Sequence, residues 1–541
     1  MAVCSSFPSM VMHCKQSPPL LHTNLKNNLV VKKVRVPSCN NKVSRVKCAM
    51  EYDVTRSDFP SDFVFGASSS ALQIEGASTQ YGKTPSIWDH YTEKYPDNIV
   101  NRANIKVACD SYHKYKEDIK MLKAMGATSY RFSIAWTRIL PNGNLKGGIN
   151  RKGIEHYKKI LDELHENGIE PFVTLLHFDS PQVLESRYKG LVSPDFVDDF
   201  KDFCDVCFEH FGGKVKHWIT INEPSLASEF GYSTGKFAPG RCSNREICEE
   251  GDSAREPYLV AHHMILAHAT AAQLYRRKYK HQGGELGIAF VCSWFLPYSD
   301  SPKDIQAFER ARDFNLGWFM DPFVYGDYPF VMRKLVGERL PTFTKEEKKM
   351  VKGSLDFVGI NYYYSKYVEH VDNHHTEPID WATDTHVKLQ SVNARGEELN
   401  EIKDENLMFT TYPDGLRQVL VYLTQRYDNP KIYITENGNG HKAEKITDYK
   451  SLVAYVEDYY RIQYIKGHLA AIKRAREEGA DVRGYFVWSL MDSFEFRNGY
   501  SIRFGLWYTD YLHHKLQRLP KQSGSWYSSF LRVKQPLLVD A

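Results

Sequence analysis

The sequence predicts an α/β fold: a single (β/α)8 barrel with extended loops at the C-terminal face of its strands. Three observations carry this expectation. Short β-branched and aromatic runs alternate with longer helix-period stretches from about residue 55 to about residue 530. Eight such runs occur, a number that closes a small barrel. No linker or composition break divides them, and no Gly-rich phosphate turn follows the first run, as a doubly wound open sheet would normally show.

In chain order the strands are read at Phe63–Ala67, Ser129–Ala135, Pro171–His177, His217–Asn222, Leu286–Val291, Phe357–Tyr363, Lys431–Glu436 and Gly484–Leu490. Helices fill the intervals. Arg151–Asn167 places Ile154, Tyr157, Ile160, Leu161 and Leu164 along one stripe at three- and four-residue spacing. Asp195–Phe211, Pro257–Tyr279 and Asp448–Glu478 read the same way. Cys204 and Cys207 form a C-x-x-C inside a helical pattern with no second pair nearby, so they read as buried thiols rather than a metal or redox site. Cys242 and Cys248 bracket a short polar loop and could close a local bridge; a reducing compartment would oppose it.

Composition narrows the function. With 42% hydrophobic and 13% aromatic residues among 541, the chain is not disordered as a whole. No run of about 18 uncharged apolar residues occurs, so no membrane-spanning helix is expected. Net charge is +4 with no basic tract in the body, which argues against nucleic acid as a partner. Residues 1–50 carry eight Lys or Arg and no Asp or Glu, and lack the apolar core of a secretory signal. They read as a plastid transit peptide cut near Val46–Ala49, leaving 51–541 as the catalytic domain. Self-association is left open.

Barrel chemistry sits where strands end. The strand ends supply Gln73, His177-Phe178-Asp179, Asn222-Glu223, Asn361-Tyr362-Tyr363, Glu436-Asn437 and Trp488, followed by Asp492 and Glu495. Carboxylates, amides and aromatics without a His/Cys cluster suit a neutral polyhydroxylated ligand, with no metal and no cofactor. Glycoside hydrolysis needs two carboxyls flanking the anomeric carbon, one protonated and one ionised. Glu223 and Glu436 each close an apolar strand beside an Asn, and are expected to face each other across the mouth. A cation at Arg131 would favour the ionised form of Glu436, while burial and repulsion would keep a proton on Glu223. Asn222 could bond the sugar 2-hydroxyl.

At these residues the sequence resembles the plant β-glucosidases of glycoside hydrolase family 1. The likeness spans about residues 57–530. Its motifs are Phe63-Val64-Phe65-Gly66, Gln73-Ile74-Glu75-Gly76, Tyr130-Arg131-Phe132-Ser133-Ile134, Thr220-Ile221-Asn222-Glu223-Pro224, Asn361-Tyr362-Tyr363, Ile434-Thr435-Glu436-Asn437-Gly438 and Trp488 through Glu495. The resemblance implies a retaining TIM-barrel hydrolase, with Glu223 as acid/base and Glu436 as nucleophile. It implies that Gln73, His177, Asn222, Glu495 and Trp488 hold glucose, with Tyr363 beside the nucleophile. Phe496 and Phe504 are grouped with the sugar-facing set, and Arg131 and Asn361 support it. The thioglucosidase branch replaces the acid/base with Gln; the intact Glu223 favours O-glucosides. The basic N-terminal segment and the Cys242/Cys248 loop look most like plastid members acting on defence glucosides.

Some positions depart from the family's usual residues. Phe178 and Phe496 stand where Trp is usual, and Ser225 where Trp or Gln is common. Losing one N–H donor costs roughly 0.5–1.5 kcal/mol, which weakens glucose specificity without abolishing catalysis. In the aglycone slot Met408 takes the place of a Trp wall, Phe230 and Phe237 are kept, Glu229 is polar, and Arg497 replaces an aromatic. A flexible Met in place of an indole points to a bulky or non-planar terpenoid, steroid or alkaloid aglycone. Two other functions fit the same residues: a transglucosidase passing the sugar to an acceptor hydroxyl, and a non-catalytic binding or aggregating protein. The second has no need of both glutamates.

Overall fold

The structure, a computed structural model, describes residues 52–372, 379–443 and 449–532. The expected transit segment 1–50 lies outside the described residues. Eight parallel strands close into a barrel: β1 (Val64–Ser68), β2 (Ser129–Ser133), β3 (Glu170–Leu176), β4 (His217–Asn222), β5 (Glu285–Val291), β6 (Phe357–Tyr362), β7 (Ile432–Asn437) and β8 (Val482–Trp488). They follow chain order around the ring. β8 returns to β1, with Val64 opposite Gly484 and Ser68 opposite Trp488. The strand assignments from sequence are right to within two residues at every end; the second strand stops at Ser133, two residues short of the expected Ala135.

The barrel is plugged. Phe172, Ile219, Ala289, Phe357, Tyr433 and Phe486, one from each of β3 to β8, form a single buried cluster. The Phe172 ring lies 4.8 Å from Phe486 and 5.1 Å from Tyr433, centroid to centroid. Side chains nearer the C-terminal strand ends therefore rest on a packed floor.

Outside the ring, the helix Arg151–Glu166 buries the stripe Ile154, Tyr157, Ile160, Leu161 and Leu164. The helix Asp195–Phe211 buries Phe196, Phe200, Phe203 and Phe208 together with Cys204 and Cys207, and burial pushes both thiols well above their ordinary range. Cys242 and Cys248 are bonded, their Cα atoms 5.5 Å apart.

Two long helices differ from expectation. The stretch expected as Asp448–Glu478 is two helices, Tyr449–Val456 and Tyr459–Glu477; Asp448 itself lies outside the described residues. Asp458 marks the break: its carboxylate accepts from Arg461 Nε at 2.8 Å, Ser523 N at 2.8 Å and Ser523 Oγ at 2.6 Å, tying the joint to the C-terminal helix Gln522–Arg532. The helix expected over Pro257–Tyr279 runs as Glu256–Leu274 and then widens over Tyr275–Tyr279. The extended loops carry a small sheet of their own, Trp294–Pro297, Ser365–His370 and Val387–Gln390.

The C-terminal segment locks the exit of β8. Arg518–Pro520 pairs with Trp507–Thr509. The next residue, Lys521, directs its ammonium 2.6 Å from Asp492 Oδ1, and both side chains are fully buried. Asp492 also accepts from Gly505 N at 3.0 Å. Burial pushes Lys521 down to about 8 against the pull of Asp492. Removing one partner of such a pair leaves a buried charge uncompensated, so Lys521→Met should destabilise the fold by about 3–5 kcal/mol. The measurement is the urea midpoint at neutral pH; an unchanged midpoint would show the pair to be dispensable.

Candidate active site

Local backbone irregularity aims both glutamates. On β7 the register with β6 runs Ile434 opposite Ile360 and then slips, bringing Glu436 opposite Asn361. On β4 the register with β5 slips between Ile219 and Asn222. An extra residue in a strand re-aims the side chains beyond it. Glu223 then adopts φ +46, ψ 58, a left-handed conformation rare for a residue with a side chain, before Pro224 opens the helix Pro224–Tyr232. Its N–H bonds Ala289 O at 2.7 Å, which holds the turn against β5.

β4 and β7 are three steps apart around the eight-stranded ring, with β5 and β6 between them. Asn361, at the end of the intervening β6, bridges the two. Its Nδ2 donates to Glu223 Oε1 at 2.8 Å and Asn222 Oδ1 at 3.0 Å, and its Oδ1 accepts from Thr435 Oγ1 at 2.6 Å. Arg131 joins the same pair of strands from beneath. One guanidinium nitrogen donates to Glu436 Oε1, and the other to Asn222 Oδ1 at 2.6 Å. Tyr363 donates to Glu436 Oε2 at 2.5 Å.

These partners divide the two carboxyls. Burial raises both above the ordinary carboxylate range; for Glu436 it outweighs Arg131, which favours the ionised form as expected from the sequence. Repulsion from Glu223 adds to the shift on Glu436, so the two titrate as a pair. The donors decide which member carries the charge. Glu436 receives a cationic donor and a phenol, both of which favour its ionised form, whereas Glu223 receives one neutral amide. Burial beside Arg131 holds His177 well below its ordinary range, so the imidazole is neutral.

The remaining candidates surround this pair. Asn222 Nδ2 lies 3.4 Å from His177 Nε2, and the His177 ring lies parallel to Trp488 with centroids 5.8 Å apart. Gln73 donates to Phe494 O at 2.6 Å and accepts from Ser70 Oγ at 2.7 Å, which fixes its amide. Glu495 Oε1 accepts from Ser493 Oγ at 3.2 Å, and burial pushes its carboxyl up to about 8. Among the described residues, Glu223 Oε2, Glu495 Oε2, Trp488 Nε1 and His177 Nδ1 are buried without a hydrogen-bond partner. Buried polar atoms are rarely left unpaired, and a set of them around two carboxyls matches a ligand rich in hydroxyls. Phe504 is fully buried, edge-on to Tyr363 at 6.1 Å. Among the described residues no cluster of His, Cys, Asp and Glu could hold a metal ion.

The slot residues fall into two groups. Phe178, Phe237 and Phe496 pack together, with Phe237 stacked on Phe496 at 5.0 Å and Phe178 edge-on to Phe496 at 5.5 Å; Phe230 joins Phe237 at 5.3 Å. Glu229 is half-buried on the helix after Glu223, and burial pushes its carboxyl up to about 8. Met408 is half-buried on a separate segment, bonded through its N–H to Gly440 O at 2.8 Å. Arg497 turns toward a neighbouring loop and donates to Asn98 O at 3.2 Å.

Sequence reasoning gave two supports no role. Trp88 packs against Phe496 at 4.9 Å and Phe237 at 5.3 Å, a contact across about 400 residues of chain that no local pattern announces. Asp179 is buried, and its Oδ1 accepts from His177 N at 3.1 Å across a turn in which Phe178 has φ +65. A carboxylate two residues past a strand-end His was the available signal.

Residues 55–536 match glycosyl hydrolase family 1. The chain is 48% identical to beta-glucosidase 24 of Oryza sativa over 481 residues, 88% of this chain and 94% of that one. It is 50% identical to the furostanol glycoside 26-O-beta-glucosidase of Hellenia speciosa over 481 residues, 88% of this chain and 84% of that one. The crystal structure of the rice Os3BGlu6 beta-glucosidase superposes with a TM-score of 0.85 at 45% identity, covering 89% of this chain and all of that chain. A mutant of the rice enzyme, described as a covalent complex with Glc from GA4GE, superposes equally well. With nearly the whole barrel inside the match, the chain belongs to glycosyl hydrolase family 1 and is a glycoside hydrolase.

Proposed function

We propose that this protein is a retaining β-glucosidase that hydrolyses plant specialised-metabolite glucosides by double displacement. One observation carries the reading: of two buried carboxyls, Glu436 receives a cationic donor from Arg131 and a phenol from Tyr363, while Glu223 receives one neutral amide from Asn361 and keeps an unpaired oxygen. Glu436 attacks the anomeric carbon as Glu223 gives its proton to the leaving aglycone oxygen, and a covalent glycosyl-enzyme forms. Glu223 then takes a proton from water, the water adds to the same carbon, and Glu436 is released with configuration retained. Asn222 is placed to bond the 2-hydroxyl, a contact that strengthens in the transition state. The covalent Glc complex of the rice relative supports the intermediate. The furostanol glycosidase relative, and Met408 at one side of the slot, support a bulky aglycone.

Glu436→Ala should abolish hydrolysis, and added azide should restore turnover as the inverted glycosyl azide. Glu223→Ala should slow glucosides of alcohols by about 10²–10⁴-fold while sparing substrates whose leaving groups need no protonation. Equal losses on both substrate kinds would overturn the division of roles.

The pH profile tests the donors. The active form has Glu436 ionised and Glu223 protonated, so activity falls at low pH as Glu436 gains a proton and at high pH as Glu223 loses one. Tyr363 favours the ionised form of Glu436. Tyr363→Phe should therefore move the acid limb of kcat/KM upward by roughly one pH unit. A limb that stays in place would remove Tyr363 from the mechanism.

For the aglycone, kcat/KM on a steroidal glucoside should exceed that on a planar phenolic glucoside. A clear preference for the phenolic would overturn the bulky-aglycone reading and leave the hydrolytic reading standing.

A further inference from the structure

Three residues beyond Glu436 the chain places Asn439, a fully buried side chain to which the reaction above gives no role. Its Oδ1 accepts from Phe409 N at 3.1 Å, and its Nδ2 donates to Phe409 O at 2.9 Å. One amide thus clasps both polar atoms of a single backbone residue. On either side, Met408 N bonds Gly440 O at 2.8 Å and Lys442 N bonds Asn406 O at 2.9 Å, so the segment 406–409 runs alongside 439–442. The Phe409 ring packs 5.6 Å from Tyr363, whose hydroxyl bonds Glu436. Met408, half-buried and next in line, is the residue that the sequence reading assigns to the aglycone slot.

Backbone bonds alone leave such a short added segment free to slip along its partner, because they repeat at every second residue. A side-chain amide engaged at both ends does not repeat, and it fixes one register. Its burial also has a cost unless both bonds are made, so slippage leaves the amide unsatisfied.

We propose that Asn439 is a positioning residue for aglycone specificity, locking the Met408–Phe409 segment at one distance from the nucleophile strand. This inference rests on the hydrolytic reading of the site and names how one wall of its aglycone slot is set.

The test compares Asn439→Ala, which removes both bonds, with the isosteric Asn439→Asp, which keeps the acceptor and loses the donor. Two quantities are measured: KM for a steroidal glucoside, which fills the slot, and the inhibition constant of a glucose-mimicking iminosugar, which fills only the sugar site. Asn439→Ala should raise KM for the steroidal glucoside about tenfold, with the iminosugar constant changed by less than about twofold, and Asn439→Asp should fall between. Parallel weakening of both ligands, or no change in either, would overturn the proposal. If Asn439→Ala fails to fold, Asn439→Asp and Met408→Ala carry the comparison, and both must show the same selective loss. Should the wild-type protein hydrolyse no β-glucoside, the functional reading falls by itself. The clasp is then tested by trypsin cleavage after the exposed Lys403, which should quicken in Asn439→Asp; an unchanged rate would overturn it.

Discussion

A guanidinium with no access to water underlies the site. Arg131 stands in the middle of β2, fully buried, and a buried cation is tolerated only when paired and bonded. Its terminal nitrogens donate to Glu436 Oε1, Thr435 O at 3.3 Å and Asn222 Oδ1, groups from two different strands. The planar fork of Arg meets both at once, which the single ammonium of Lys could not reproduce. Satisfying Arg131 therefore sets the spacing between β4 and β7 at their C-terminal ends. Asn361 repeats the bridge one layer higher, from β6. The result is a polar network inside a low-dielectric barrel, where incomplete pairing is expensive and full pairing makes one geometry strongly preferred.

The irregularities of the backbone belong to the same design. A strand that kept its register to the end would alternate its side chains, inward and outward, with no freedom in aim. Both glutamates instead follow a register slip, and Glu223 adds a left-handed residue. Phe178 and Phe496 also have positive φ, at +65 and +52, and both contribute to the aromatic group of the slot. Strained backbone clusters where side chains must point against the regular pattern, and surrounding bonds must hold it there. Asp179, bonding His177 N, and Asn361, bonding Glu223, are two of those holds.

The barrel and its carboxyl pair were legible in the sequence because their signals are local. Each barrel strand is a short apolar run, and each glutamate ends one. Closure into a ring followed from the strand count, and Arg131 stood out as a charge inside an apolar strand. The failures have a common cause. The break at Asp458 depends on Ser523, and the slot wall at Phe496 depends on Trp88, contacts that span tens to hundreds of residues. The register slips that precede both glutamates also went unread, because a slip shows only against the neighbouring strand. The rise in the Glu436 pKa was missed because sequence displays the nearby cation but not the depth of burial that outweighs it.

The exit of β8 shows how far from the carboxyl pair a candidate binding residue can be anchored. Glu495 and Trp488 lie on one stretch of chain, with Asp492 between them. Every polar atom of Asp492 is committed: its N–H to Trp507 O, its carbonyl to Thr509 Oγ1 and Tyr511 OH, and its carboxylate to Lys521, Gly505 N and Arg503. The stretch is thus stapled to residues 503–521. A sugar hydroxyl bonded by Glu495 would pull on that staple rather than on a loop free to yield, and rigid support is what turns a hydrogen bond into transition-state stabilisation. The segment after the last barrel strand therefore fixes the stretch that carries Glu495, although among its residues 503–521 only Phe504 stood out in the sequence as a candidate for the site.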